Sequence, residues 1–187
     1  MIRFGVFAVA LALAVPAAAA SFTLSPQQQE QARVLGRRSI TSETFEGEWR
    51  VNGGTGENLI VITPFYRLAL AARHAAFKNE PVKSGDQEKM LAELKDRLLF
   101  WVHLRGKSED FARYYTPRLI IEDREIEPAF VQNERTSLRQ DGGAFVARSV
   151  YAFPNKELTP TSRVVLVVRD PDGAQITRFT IDLARMR

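Results

Sequence analysis

The chain carries FVARSVYAF at residues 145–153, RVVLVVRD at 163–170 and ITRFTIDL at 176–183, and these three segments decide its fold class. Apolar side chains recur in them at about every second position, which is the period of a β-strand with one buried face. Asp170-Pro171-Asp172-Gly173 separates the last two segments and favours a tight turn, so we expect an antiparallel hairpin there. The side chains predicted to face the core are Phe145, Ala147, Tyr151, Phe153, Val164, Leu166, Val168, Phe179, Ile181 and Leu183.

Three further strands are predicted upstream of these segments, at residues 98–105, 118–122 and 125–131. Several short strands at this spacing favour an antiparallel β-sandwich over residues 98–187. The pattern resembles the architecture of a bacterial immunoglobulin-like (Ig-like) sandwich. The chain has no cysteine, so it lacks the Cys…Trp…Cys spacing of true immunoglobulin domains, and the resemblance implies an architecture without a function.

Residues 21–97 are predicted to form a helix, a β-hairpin and two helices. The first helix is expected at 26–40, capped by Ser25 and weakened in its middle by Gly36. The hairpin is expected to pair residues 45–51 with 59–63, and the two later helices are expected at 63–78 and 86–97. The predicted fold class is therefore α+β, with residues 21–187 forming a single domain.

The first twenty residues have the pattern of a secretory signal peptide. Arg3 is followed by an apolar run over 4–15 and by small residues up to Ala20, which matches a positive region, a hydrophobic region and an A-x-A cleavage site. Cleavage is predicted after Ala20, with Ala19 as the alternative. No other stretch approaches the roughly 18 apolar residues that a membrane span needs. We therefore expect a periplasmic or secreted protein with no transmembrane span in its mature chain.

Composition narrows the possible partners. The chain has 26 Lys and Arg against 22 Asp and Glu, a formal charge of +4, and the absence of cysteine excludes disulfides and thiolate ligands. The basic residues are scattered rather than concentrated, and this argues against nucleic acid. Dispersed arginines in an exported protein favour an anionic envelope component, such as phospholipid headgroups or a cell-wall polymer. The dispersed arginines are Arg37, Arg38, Arg67, Arg73, Arg105, Arg113, Arg118 and Arg135.

Catalytic signatures are missing from the sequence. His74 and His103 are the only histidines, neither belongs to a metal-binding spacing, and no G-x-S-x-G or G-x-G-x-x-G motif occurs. We therefore assign no catalytic residue, no metal ligand and no cofactor. Asp170 and Asp172 are interpreted as turn formers rather than calcium ligands. Arg73, on a largely apolar helix, is expected to pair with a carboxylate, since an unpaired buried charge is costly.

Two groups of side chains are the candidate binding residues. Trp101, His103 and Arg105 share one face of the strand predicted at 98–105. Tyr114 and Tyr115 lie in the connection FARYYTP (111–117), which is rich in aromatic residues. Tyrosine, tryptophan and arginine are favoured at binding sites because they combine large contact area with directional hydrogen bonds.

The leading functional hypothesis is an exported, non-enzymatic binding or assembly module that meets another envelope protein or an envelope polymer. Two alternatives remain open. One is a hydrolase of low motif content acting on an envelope polymer or ester, in which a histidine meets a carboxylate in a concave site. The other is a carrier of an apolar ligand, which requires a continuous cavity lined by Leu68, Ala72 and Ala76.

Overall fold

A computed structural model describes residues 19–187 of the chain, and these residues adopt an α+β fold. Residues 1–18, which make up most of the predicted signal peptide, lie outside the described residues. The helices are α1 (Pro26–Arg38), α2 (Pro64–Phe77) and α3 (Ser84–Glu93). The strands are β1 (Arg50–Asn52), β2 (Asn58–Ile62), β3 (Arg97–Gly106), β4 (Thr116–Ile121), β5 (Arg124–Ile126), β6 (Phe130–Gln132), β7 (Leu138–Arg139), β8 (Phe145–Pro154), β9 (Arg163–Arg169) and β10 (Gln175–Asp182).

The strands form two antiparallel sheets. The larger has the order β1-β2-β3-β8-β6, with β7 also paired to β8, and the smaller has the order β10-β9-β4-β5. Neither sheet closes on itself, because each ends in edge strands. The N-terminal hairpin therefore belongs to the same sheet as β3 and β8, although α2 and α3 separate it from them in the chain.

The two sheets contribute to one buried core. The predicted inward residues of β8, β9 and β10 are buried, apart from the half-buried Phe145. Phe100 of β3 is fully buried and meets the Phe153 ring edge to face, with the ring centroids 5.9 Å apart. Leu119 of the smaller sheet is likewise fully buried in this cluster. Alternation along the strands thus predicted the core correctly.

The starts of α1 and α2 were predicted correctly, whereas α3 was predicted to start at 86 and in fact starts at Ser84 without a side-chain cap. The Ser25 hydroxyl accepts a hydrogen bond from the Gln28 backbone N–H at 3.2 Å, and the Gln28 side chain accepts one from the Ser25 N–H at 2.9 Å. The Thr63 hydroxyl caps α2 by accepting from the Tyr66 N–H at 3.1 Å. Within the described residues, no helix combines the length and apolar character needed to cross a membrane.

The strand predicted at 45–51 is wrong over most of its length. Only Arg50–Asn52 is extended, and the residues before it form successive turns in which the N–H groups of Trp49 and Arg50 bond to the Glu46 carbonyl at 3.0 Å. Phe45 and Trp49 are four residues apart and both buried, with ring centroids 5.9 Å apart. Aromatic residues at that spacing share a face in a helical turn as well as in a strand.

The strand predicted at 125–131 is two strands in different sheets. β5 pairs with β4 and β6 pairs with β8, with Glu127 and Pro128 outside both. Proline has no N–H to donate to a sheet, so the chain leaves the smaller sheet there. β7, a two-residue strand, was not predicted at all.

Arg73 was expected to pair with a carboxylate, but it forms no ion pair within residues 19–187. Its guanidinium donates to the backbone oxygens of Ile40 at 3.3 Å and Ser42 at 2.9 Å, and lies 4.9 Å from the centroid of the Phe45 ring. Carbonyl oxygens and an aromatic face replace the expected acid. Arg73 thereby ties α2 to the segment that follows α1.

Candidate functional site

One face of the larger sheet carries apolar side chains at one end and polar side chains at the other. Directly opposed residues of antiparallel strands project to the same face. Trp101 of β3 is opposed by Ile60 and Val150, whereas His103 is opposed by Asn58 and Arg148. α2 covers the apolar end, where the Tyr66 ring meets the Trp101 ring edge-on at 6.2 Å. The polar end lies beyond this contact.

The polar end forms a pocket of about 260 Å³, which we call the basic pocket. Its lining comprises Gly56, Asn58, His103, Arg105, Gln140, Val146 and Arg148. None of these residues carries a carboxylate. The lining therefore has two permanent positive charges, those of the two arginines, and one imidazole.

Arg105 and Arg148 have no acidic partner among the described residues. Other arginines of the protein do pair with acids, as Arg50 does with Glu46 at 2.6 Å. The Glu134 carboxylate accepts a hydrogen bond from the Arg148 backbone N–H at 2.6 Å and forms no ion pair with the Arg148 guanidinium among the described residues. Guanidinium groups are rigid donors suited to carboxylates and phosphates, so the pair is equipped to bind an oxyanion.

Gly56 allows the Arg105 side chain to lie against the β1–β2 turn. The residue has φ +92°, which favours glycine, and a Cβ atom built there would lie 3.3 Å from the Arg105 Nε atom. A larger residue at position 56 would have a strained backbone, and its Cβ atom would press against the Arg105 side chain.

His103 has a defined tautomer. Its Nδ1 atom lies 3.1 Å from the Asn58 Oδ1 atom, and Arg50, which can only donate, also bonds to that oxygen at 3.0 Å. The oxygen therefore accepts from both, Nδ1 carries the proton, and Nε2 is the acceptor of the neutral ring. Burial lowers the pKa of His103 below its ordinary 6.5, and the charges of Arg148 and Arg50 lower the pKa further, against the weaker opposing charges of Glu46 and Glu134. The ring is consequently neutral at about pH 7.

The other predicted binding residues lie outside the basic pocket. Trp101 is partly buried and lines a separate pocket of about 280 Å³ with Phe130 and Arg67. Tyr114 is 65% exposed, with the guanidinium of Arg113 5.4 Å from its ring centroid. The basic pocket thus contains His103 and Arg105 but not these two aromatic residues.

Tyr115 packs into a cluster that supports the fold rather than into a binding site. Its ring meets the Phe111 ring edge to face at 5.8 Å, and its carbonyl oxygen accepts from the Asn133 side chain at 2.8 Å. Burial raises the pKa of the Tyr115 hydroxyl. Asn133 also accepts from the Tyr151 hydroxyl at 2.9 Å, so this cluster fixes the connection between β3 and β4 against the core.

The sequence analysis predicted two of the seven lining residues, His103 and Arg105, and missed the polar residues Asn58, Gln140 and Arg148. Asn58 precedes the strand predicted at 59–63, and Arg148 is absent from the side chains predicted to face the core. Their place beside His103 depends on the pairing of β2 and β8 with β3, for which the sequence contains no short-range signal.

Comparison with known proteins assigns no family. No family model matches the chain, and no curated protein matches it. Among solved structures, the chain is similar to a crystal structure of a novel protein of unknown function from Burkholderia pseudomallei, with 10% sequence identity and a TM-score of 0.44. The similarity covers 88% of this chain and 96% of that one.

Proposed function

We propose that the protein is an exported, non-enzymatic binding module that recognises an anionic component of the bacterial envelope through the basic pocket. The observation that carries the proposal is the convergence of Arg105 and Arg148, both without an acidic partner among the described residues, in a pocket whose lining has no carboxylate. Unpaired cations that share a concave site attract anions. Export is supported by the pattern of the first twenty residues.

The pocket suits a single oxyanion group. Two guanidinium groups supply forked donors, and the Asn58 and Gln140 side chains border them. Phosphate is the chemistry that phospholipid headgroups and anionic cell-wall polymers share, and it accepts from arginine at several oxygens. The module would hold such a group at its surface, because the pocket is open rather than enclosed and about 260 Å³ in volume.

Binding can be tested with purified mature protein on two supports. Sedimentation with vesicles of phosphatidylglycerol and phosphatidylcholine, compared with phosphatidylcholine alone, measures headgroup binding. Sedimentation with isolated cell-wall material measures polymer binding. We expect retention on one anionic support, decreasing as sodium chloride is raised, since charge contacts of exposed groups are screened by salt.

The decisive variant is Arg105→Gln combined with Arg148→Gln. A charge-assisted hydrogen bond contributes about 1.5–3 kcal/mol, so we expect at least about a tenfold loss of affinity. Lys156→Gln with Arg178→Gln is the matched control, because it removes the same charge from exposed positions outside the pocket lining. Equal losses in both variants would show that only net charge matters, and retention that salt leaves unchanged would contradict the proposal.

Neither enzymatic nor carrier function gains support from the site. His103 meets the Asn58 amide oxygen rather than a carboxylate, so the acid–base pair that the hydrolase alternative requires is not formed at this ring. His74 is exposed on α2. The carrier alternative requires Leu68 in a cavity with Ala72 and Ala76, but Leu68 is fully buried and the 250 Å³ groove beside those alanines does not include it.

We also propose that the two sheets are the layers of an Ig-like sandwich that serves as a platform for the pocket. Support comes from the single buried cluster to which both sheets contribute, including Phe100, Leu119 and Phe179. Loops and sheet faces on a rigid scaffold are common places for binding residues. Packing of the two sheets with their strands roughly aligned is the arrangement that this proposal requires, and orthogonal packing would contradict it.

A further inference from the structure

The segment before α1 is part of the folded core. Ala20 is fully buried, and its backbone N–H donates to the carbonyl oxygen of Leu183 at 3.0 Å. Leu24 is 7% exposed and belongs to the same cluster, with Phe22 partly buried against it. The hydrogen bond ties the start of the described chain to Leu183, the residue that follows β10, across nearly the whole sequence.

The sequence allows two cleavage positions that this contact distinguishes. Ala17 and Ala19 satisfy the small-residue rule for a cut after Ala19, and Ala18 and Ala20 satisfy it equally for a cut after Ala20. A cut after Ala20 would remove a buried methyl group and the donor to Leu183. A cut after Ala19 would preserve both.

We propose that processing occurs between Ala19 and Ala20, so that the mature chain begins at Ala20. The reaction is hydrolysis by a signal peptidase: the bond between the Ala19 carbonyl carbon and the Ala20 nitrogen breaks, the hydroxyl of a water molecule joins that carbon, and the other proton of the water goes to the nitrogen. The new Ala19 carboxylic acid then gives its proton to the Ala20 amine, which leaves a carboxylate and an α-ammonium group. The new α-ammonium group then donates to the Leu183 carbonyl oxygen in place of the amide. This inference rests on the proposed export and differs from the cut after Ala20 predicted from the sequence pattern.

The direct test is the N-terminus of exported protein. The full chain, without a tag, is produced in a Gram-negative host, recovered from the periplasmic fraction, and examined by intact mass and N-terminal sequencing. We expect the chain to start at Ala20. A start at Ser21 or at another residue overturns this inference and leaves export intact. An uncleaved chain that stays with the cells overturns export, and this inference with it.

A stability comparison tests the physical reason separately. Chains starting at Ala19, Ala20 and Ser21 are released from a fusion partner by a protease that leaves no extra residue, and their unfolding in urea is compared. We expect the Ala19 chain to be at least as stable as the Ala20 chain, because the Ala20 chain carries its α-ammonium group at a buried position. The Ser21 chain should have a folding equilibrium constant about tenfold lower, because one hydrogen bond and one buried methyl are lost. Equal stability of the Ala20 and Ser21 chains would contradict the proposed role of Ala20.

Discussion

The substitution Gly36→Ala separates helix propensity from packing. Gly36 lies within α1, where replacing glycine by alanine stabilises an isolated helix by about 1 kcal/mol. In the folded protein, however, a Cβ atom at position 36 would lie 2.1 Å from the Ala69 carbonyl oxygen and 2.8 Å from the Ala72 Cβ atom, both on α2. Propensity therefore predicts stabilisation, whereas the structure predicts a clash between the two helices.

The clash should outweigh the propensity. The Ala69 oxygen is part of the α2 backbone and cannot rotate away, so α1 must move by about 1 Å to restore ordinary van der Waals contact. Overpacking of a dense interface costs about 1–3 kcal/mol, and a contact with backbone belongs at the upper end of that range. After subtracting the propensity gain, we expect a net loss of about 2 kcal/mol, which would lower Tm by about 4–8 °C for a domain of this size.

Urea unfolding followed by far-ultraviolet circular dichroism measures the effect. The matched control is Gly85→Ala in α3, where a Cβ atom would have no other atom within 4 Å. The control should be as stable as the parent protein or more stable by up to about 1 kcal/mol. The reasoning is refuted if Gly36→Ala is at least as stable as the parent protein.

Three further substitutions test the electrostatics and turns of the fold. Because the pKa of His103 is lowered in the folded protein, the unfolded chain binds protons more readily, and stability should fall as pH drops below about 6.5. His103→Asn should flatten this fall in urea titrations at several pH values, and an unchanged slope would contradict the assignment. Glu48→Gln removes the carboxylate that binds the Arg187 guanidinium at 2.6 Å and should cost about 1 kcal/mol, whereas Glu88→Gln at an exposed position should cost nothing measurable. Asp170→Ala removes the acceptor of two turn N–H groups, and hydrogen exchange at those amides should become faster, with unchanged protection counting against the turn assignment.

The sequence predicted elements whose signals are local. Ser25 with Gln28 specifies the start of α1 within four residues, and the Asp170 turn lies between two alternating segments. Residues 45–51 were mispredicted because alternation over so short a stretch also satisfies a helical turn. Gly36 illustrates the same limit. The sequence shows that a glycine lowers the stability of the helix, but it does not show why glycine is required at this position, which is the close approach of α2.

The candidate site was predicted only in part, because it is assembled across strands. His103 and Arg105 were recognised as neighbours on one strand face. Asn58 lies 45 residues from His103 along the chain and becomes its partner only when β2 pairs with β3. Strand register over such distances depends on the packing of the whole sheet.

The position of the basic pocket follows from where α2 begins. β2 ends at Ile62, Thr63 caps the helix, and α2 therefore turns back over the end of the sheet that carries Trp101. α2 does not cover the opposite end of the sheet, which carries His103. The polar residues at that end can contact solvent. Stability thus comes from the covered end and the core, whereas the pocket arginines form no ion pair in the part of the chain that the structure describes. Replacing those arginines should therefore change binding without changing Tm. A loss of retention of the double variant on the anionic support can then be attributed to recognition rather than to unfolding.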